Sequence, residues 1–214
     1  MIGPPIPTLV PLGDRAMLIR FSTELSDEAN RAAIALARRL EDERLVGVEE
    51  IAPGLVSVLL RFDETVDFAR LRGDLMLLTG DVAPMTAGVE HRVVVTFDGE
   101  DLPEVTTRLG TTAPEFIARH NATPLRVLAT GFAPGFVYCG FHGADLMVSR
   151  RETVRPMVPA GTVLFAAGQT AIAATPIRTG WHIIGQTIFQ NFDPFTDPPT
   201  RLRAGDTVRF EAAR

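Results

Sequence analysis

Short apolar runs, broken by glycine and proline at close intervals, dominate the second half of the chain. They read TVLFAA, AIAA, WHIIGQTIF and DTVRFE, the last fed by the turn Ala204-Gly205-Asp206. Glycine carries a backbone-entropy cost inside regular elements and proline lacks a hydrogen-bond donor, so both punctuate rather than extend. Such spacing predicts a β-barrel or sandwich rather than a parallel sheet. HRVVVTF and LRVLAT, upstream, read as further strands. Between them Thr112-Ala113-Pro114-Glu115 is a capping box with proline in the first turn, which predicts a short helix to about His120.

The first half has a different character. AMLIRF is a strand. Ser26 offers an N-cap oxygen, Asp27 and Glu28 suit a first turn, and Ala33, Ile34, Leu36, Ala37 and Leu40 recur at helical spacing. VGVEEIA and LVSVLLRF are β-rich runs separated by Pro53-Gly54, a hairpin signal, and 67–78 reads as a second helix. This order predicts a small α+β layer with helices on one face. GDVAPMTAG, residues 80–88, has the composition of a linker. The expected domains are therefore 1–84, α+β, and 85–214, mainly β.

Composition excludes several chemistries. All 21 basic residues are arginine. A chain without lysine has no ordinary phosphate-binding P-loop, no Schiff base and no biotin-carrying side chain. The few serines lie outside any G-x-S-x-G elbow. The four histidines are scattered, which predicts no metal site. A net charge of −5 without a basic run argues against nucleic acid and anionic membranes. MIGPPIPTLVPLGDR has neither the basic nor the apolar region of a signal peptide, and a single cysteine allows no internal disulfide. The expected setting is the reducing cytoplasm.

Four segments carry candidate chemistry. GFAPGFVYCGF, residues 131–141, combines glycines that turn the backbone, Pro134 that stiffens it, and the rings of Phe132, Phe136, Tyr138 and Phe141. Such a loop walls a small-molecule pocket or plugs a core. VSRRETVRPMVPAG places Arg150, Arg151 and Arg155 on a segment bounded by prolines, which suits a carboxylate or phosphate as well as a solvated basic loop. AAGQT and GWHIIGQT each carry a Gln-Thr pair after glycine. Gln169 and Gln186 offer donor and acceptor together, as an amide or lactam requires, with Thr170 and Trp181 beside them. His182 is a candidate general base or a structural histidine. Cys139 lacks an orienting group and reads as pocket wall.

Taken in order, G-F-A-P-G-F-x-Y-x-G, R-R-x-T-x-R-x-x-V-P-A-G-x-V, A-G-Q-T, G-W-x-I-I-G-x-T, F-D-P, D-P-P and G-D-x-V-R-F resemble the carboxyltransferase-domain family that includes the B subunit of bacterial 5-oxoprolinase. Members are also named allophanate hydrolase subunit 1 and sporulation-kinase inhibitor. Gly13-Asp14-Arg15-Ala16 and the helix after it resemble the family's N-terminal domain, so the likeness covers nearly the whole chain.

The resemblance implies an α+β N-terminal domain followed by a cyclophilin-like β-barrel. It implies a heterocomplex with a homologous C subunit, completed by a third protein, the A subunit. That assembly uses ATP, bound mainly by the partner, to phosphorylate the lactam oxygen of 5-oxoproline and open the ring to glutamate. In such a protein, inactive alone, Arg151 and Arg155 would hold a carboxylate or phosphate and His182 would assist. Phe132, Pro134, Phe136, Tyr138, Thr170 and Trp181 would line the site, with Gln169 and Gln186 addressing the amide. Phe141, Ala171 and Gln186 depart from the family pattern and point to an altered substrate or a drifted site. Two alternatives remain open: an inhibitor docking on a sensor kinase, and a carboxyl-transfer module of the urea-carboxylase type served by a biotin protein.

Overall fold

A computed structural model of the chain describes residues 6–79, 85 and 87–213. It divides into two compact units, 1–86 and 87–214. Most of the expected linker at 80–88, and the first five residues of the segment read for a signal peptide, lie outside the described residues.

The first unit is one antiparallel sheet in the order β1 (Thr8–Pro11), β2 (Ala16–Arg20), β4 (Ser57–Phe62), β3 (Val48–Pro53). Helix α1 (Asp27–Glu43) starts where Ser26 Oγ accepts the Ala29 N–H at 3.2 Å, and ends at Arg44 in a left-handed conformation. Its buried stripe, Ala29, Ala33, Leu36, Ala37 and Leu40, packs with Met17, Ile19, Val58, Leu60 and Phe62. Helix α2 (Phe68–Thr79) adds Leu71 and Leu75 to the same core. Alternation along β2 and β4 thus supplies one apolar sheet face, and both helices cover it.

The second unit is built on a seven-stranded sheet in the order β12 (His182–Gln186), β9 (Thr162–Ala166), β10 (Gln169–Ile172), β7 (Val137–Gly140), β6 (Leu125–Thr130), β13 (Thr207–Ala212), β5 (Glu90–Val95). All pairs are antiparallel except β13 with β5, a parallel pair that the spacing of short runs did not predict. The sheet curls until its two edges meet. Thr96 N donates to Gln186 O and Gln186 N donates to Thr96 O, both at 2.9 Å.

That seam requires glycine. A Cβ on Gly185 would lie 2.3 Å from Thr96 O, and one on Gly99 would lie 2.3 Å from Ile183 O. Backbone meets backbone there at a distance that no side chain permits.

Helices α3 (Leu102–Leu109) and α4 (Ala113–His120) lie beyond β5. The capping box at Thr112 and Glu115 forms in both directions. Helix α3 was not read from the sequence, although Pro103 in its first turn is a helix-start signal. The two sheet faces carry separate cores. Val127, Val137, Cys139, Val163, Phe165 and Ile172 pack with Leu102, Val105 and Phe116 of the helices. On the opposite face Phe136, Leu164, Ala166, Ala171, Ala173 and Trp181 pack with Val158 and Ile177, which belong to a two-stranded ribbon of β8 (Arg155–Val158) and β11 (Ile177–Thr179). Among the described residues no helix is long and apolar enough to cross a membrane.

If the seam depends on backbone contact, Gly185→Ala lowers stability in equilibrium urea denaturation by about 3 kcal/mol, as overpacking of a closed interface does. Gly73→Ala, where a Cβ meets nothing within 4 Å in helix α2, instead stabilises by about 0.5–1 kcal/mol. A Gly185→Ala protein as stable as the parent contradicts the seam.

Candidate functional site

The segment 131–141 folds as a turn followed by strand β7. Gly131 N donates to Phe136 O at 3.0 Å, and Gly131, Phe132 and Gly135 all take positive φ. For Phe132, at +76°, this is a conformation that bulky side chains rarely adopt, and it leaves the ring 75% exposed. From that ring a continuous aromatic run follows. Phe132 meets Phe136 edge-on with centroids 5.6 Å apart, Phe136 meets Tyr138 at 4.8 Å, and Tyr138 meets Trp181 at 5.9 Å. Arg150 closes the run, its Cζ 5.5 Å from the Trp181 ring centroid.

Strand register explains what lies beneath. Tyr138 pairs with Ala171, Ala171 with Leu164, and Leu164 with Ile183, so these four side chains form one row on one sheet face. Ala166 and Ala173 flank the row, and both are fully buried in the core of this face. Gln169, two residues before Ala171, belongs to the same face and is buried. Tyr138 is half-buried. Burial raises its phenol pKa, and the nearby Arg150 charge opposes that rise.

Beside this face lies a charged cluster centred on Asp101, whose side chain is only 5% exposed. Its Oδ1 accepts from Arg151 Nη1 at 2.6 Å and from Arg155 Nη2 at 2.5 Å. Its Oδ2 accepts the Ile183 N–H at 2.8 Å, while the Asp101 N–H donates to Ile183 O. Arg151 also reaches Glu104 at 3.3 Å, and Arg155 reaches Glu100 at 2.9 Å. The Nε atoms of both arginines are buried with no partner among the described atoms. His182 is fully buried. It donates from Nε2 to Ser149 O at 2.9 Å, and its Nδ1 has no hydrogen-bond partner among the described atoms. Asp101, Glu104 and His182 bring ligand-type atoms within 4.8 Å of one another. The Arg151 guanidinium already bonds both carboxylates, so the cation between them is the protein's own.

A third polar group lies on the opposite sheet face. His120 Nδ1 is 2.7 Å from Asn121 Oδ1, an acceptor, so Nδ1 carries the hydrogen and Nε2 is bare. The Thr170 hydroxyl then donates to His120 Nε2 at 2.7 Å, and His142 Nε2–H donates to Thr170 Oγ1 at 2.8 Å. Burial holds both histidines neutral. It depresses the pKa of His120 to about 4 and that of His142 to about 3, with His120 adding to the shift of His142. Burial also pushes the Cys139 thiol pKa up, so it is not a nucleophile at neutral pH.

The residues singled out from sequence are therefore distributed unevenly. Phe132, Phe136, Tyr138, Gln169 and Trp181 share the aromatic face or its rim, with Pro134 on the exposed turn. Arg151, Arg155 and His182 gather around Asp101, and Arg155 begins a strand instead of lying in a loop. The anion these arginines hold is Asp101 itself. Thr170 is enclosed between two histidines on the other face. Gln169 pairs with Ala166 and Gln186 with Thr162, at opposite ends of β9, so the two glutamines do not meet. Sequence reading missed Asp101, Glu104, His120 and His142. The one local signal was Asp101-Leu102-Pro103, an acid immediately before a proline-marked helix start.

Comparison with known proteins gives a consistent picture. A family model described as carboxyltransferase domain, subdomain C and D, matches residues 7–202. A protein of Bacillus subtilis named as the B subunit of 5-oxoprolinase is 32% identical, and the match covers 93% of this chain and 90% of that one. The crystal structure of a protein designated TTHA0988 superimposes with a TM-score of 0.82 at 36% identity over 94% of this chain. This chain spans 40% of the length of TTHA0988. The urea carboxylase of Kluyveromyces lactis shares the fold at 18% identity and a TM-score of 0.70, over 97% of this chain and 22% of that one.

Two measurements check the polar clusters. Asp101→Asn removes the buried charge facing two guanidiniums and lowers stability by about 3 kcal/mol in urea denaturation, the scale for breaking a buried pair from one side. A loss no larger than that of an exposed pair, about 0.5 kcal/mol, contradicts the cluster. For the histidines, the unfolded chain binds protons near pH 6.5, before the folded chain does. Their contribution is complete above that pH and is lost as pH falls toward the folded values of about 4 and about 3. The urea midpoint therefore drops between about pH 7 and about pH 5, and His142→Asn makes that drop smaller. An identical drop in the variant contradicts the assignment.

Proposed function

The chain belongs to the carboxyltransferase-domain family, and from that premise we propose that it is the B subunit of an ATP-dependent 5-oxoprolinase-type complex. The reading is carried by the near end-to-end match to relatives that bear the 5-oxoprolinase B-subunit name, at 32% identity in Bacillus subtilis and in Haemophilus influenzae. The curled sheet of the second unit is, in this reading, a cyclophilin-like barrel. The protein works in the cytoplasm with a homologous C subunit, and the A subunit completes the complex. ATP binds mainly on the partner, and the substrate is a lactam, 5-oxo-L-proline.

The chemistry fits what this chain has and lacks. Phosphorylating an amide oxygen converts a poor electrophile into an imidate-like one with a good leaving group, so the protein's task is mainly positioning and charge stabilisation. The chain offers an aromatic face with a polar edge. Phe132, Phe136, Tyr138 and Trp181 wall the ring of the lactam, and Gln169 faces its amide. Arg151, Arg155 and His182 form a charged frame, matched by Asp101, that holds residues 149–155 against this face. Neither Cys139, buried with a raised pKa, nor Thr170, fully enclosed, is a ready nucleophile. Hydrolysis then requires the other proteins of the complex. TTHA0988 is consistent with this, because there the same fold forms less than half of one longer chain.

A carboxyl-transfer role is the second reading, and the family description favours it. With no lysine in the chain, the biotin would have to arrive on another protein.

Reconstitution with the homologous A and C subunits separates the two. The expected result is ATP-dependent conversion of 5-oxoproline to glutamate that stops when this chain is omitted, and that falls at least tenfold with Arg151→Ala plus Arg155→Ala. Full turnover without this chain overturns the reading. Bicarbonate-dependent ATP consumption with a biotinylated partner, and none with 5-oxoproline, establishes the alternative.

A further inference from the structure

We propose that Arg150, rather than the Arg151–Arg155 pair, receives the anionic end of the ligand, and that the site takes a small carboxylate with a flat body. Its carboxylate would sit on Arg150 and the Tyr138 hydroxyl, and its body against the half-buried Tyr138 ring. The inference rests on the reading of this face as a lactam site.

Arg150 and Arg151, though adjacent, have different partners. Arg151 turns to Asp101 and Glu104, and Arg155 to Asp101 and Glu100. Their charges are met by carboxylates of the chain, one of them buried, so a ligand carboxylate would have to displace Asp101 from two guanidiniums and from the Ile183 N–H. Arg150 turns to the aromatic face. It is exposed, and among the described residues no carboxylate pairs with it.

Its posture also leaves it available. A guanidinium over an indole face spends none of its N–H donors on a carboxylate, so they remain free for a bidentate acceptor. Arg150 and Tyr138 both border the Trp181 ring, with the Arg150 Cζ 5.5 Å and the Tyr138 centroid 5.9 Å from its centroid. In the row Tyr138, Ala171, Leu164, Ile183, the end residues Tyr138 and Ile183 are partly exposed, while Ala171 and Leu164 are buried with Val158 and Ile177. Phe132 holds a costly left-handed conformation and exposes its ring at the far end of the run, as a residue kept for ligand contact does. A guanidinium accepts carboxylate and phosphate alike, and the probes below tell them apart.

Trp181 and Tyr138 are the only tryptophan and the only tyrosine in the chain, so intrinsic fluorescence reports on this site alone. The full chain is titrated at constant ionic strength with 5-oxo-L-proline, with 2-pyrrolidone, which keeps the lactam ring without the carboxylate, and with inorganic phosphate. The expected result is a saturable change in Trp181 emission with 5-oxoproline and binding at least tenfold weaker with 2-pyrrolidone. Arg150→Gln raises the Kd about tenfold, the weight of one charge-assisted contact, and Arg150→Lys raises it less. Tyr138→Phe raises it about tenfold, as loss of one hydrogen bond to a charged acceptor does. The proposal is overturned by an unchanged Kd in Arg150→Gln, by equal affinity for 2-pyrrolidone, by saturation with phosphate but not 5-oxoproline, or by no saturable change with any probe. Turnover by the reconstituted complex keeps the two claims apart. If Arg150→Gln leaves its KM for 5-oxoproline unchanged, this inference fails and the B-subunit reading stands. If 5-oxoproline binds at Arg150 but the complete complex does not turn it over, the reverse holds.

Discussion

One buried carboxylate organises the second unit. Asp101 accepts a backbone N–H from β12 on one oxygen and two guanidiniums on the other, while its own N–H donates back to β12. It thereby joins the start of α3, the last strand of the curled sheet, and the segment that carries the arginines. A carboxylate this deep is stable only when its lone pairs are filled, and filling them fixes where Arg151 and Arg155 are. It reaches β12 because the adjoining seam closes backbone to backbone at Gly99 and Gly185. A bulkier residue at either position would separate the two elements that Asp101 bridges.

That arrangement sorts the polar groups of the unit by task. Around Asp101 the charges cancel internally and hold structure. On the helix-covered face, His120, Thr170 and His142 form a neutral chain of donors and acceptors, in which burial has already selected the protonation state. The other face brings together the exposed Phe132 ring, the half-buried Tyr138 and an arginine with no carboxylate partner among the described residues. A lactam acid has an apolar ring, an amide and a carboxylate, and this face offers a counterpart to each. The absence of a reactive nucleophile there agrees with a protein that positions a substrate for chemistry completed with partners.

Much of the local structure was legible in the sequence. Ser26 and the Thr112–Glu115 box cap their helices because short polar side chains satisfy otherwise unpaired N–H groups. LRVLAT is strand β6 from end to end, since an unbroken β-rich run has nowhere else to go in a sheet interior. What was not legible depended on partners distant in sequence. The separation of Gln169 from Gln186 is a matter of strand register, and the repeated Gly-Gln-Thr pattern carries no information about it. Fifty residues separate Asp101 from Arg151, and no local pattern links them. The three arginines looked equivalent as a cluster. Their division into paired and available groups follows from the partners each meets in the fold, Asp101 for Arg151 and Arg155 and the Trp181 ring for Arg150.

The central claim is that Asp101 holds Arg151 and Arg155 firmly enough to leave Arg150 as the responsive arginine. Side-chain NMR of the arginine Nε–Cζ and Nη groups in the full chain, recorded with and without 5-oxo-L-proline, tests it directly. The account predicts two arginines with restrained, slowly rotating guanidiniums whose resonances stay in place on addition, and a third, assigned to Arg150, whose resonances move. Movement of the Arg151 and Arg155 resonances with Arg150 unaffected would contradict it.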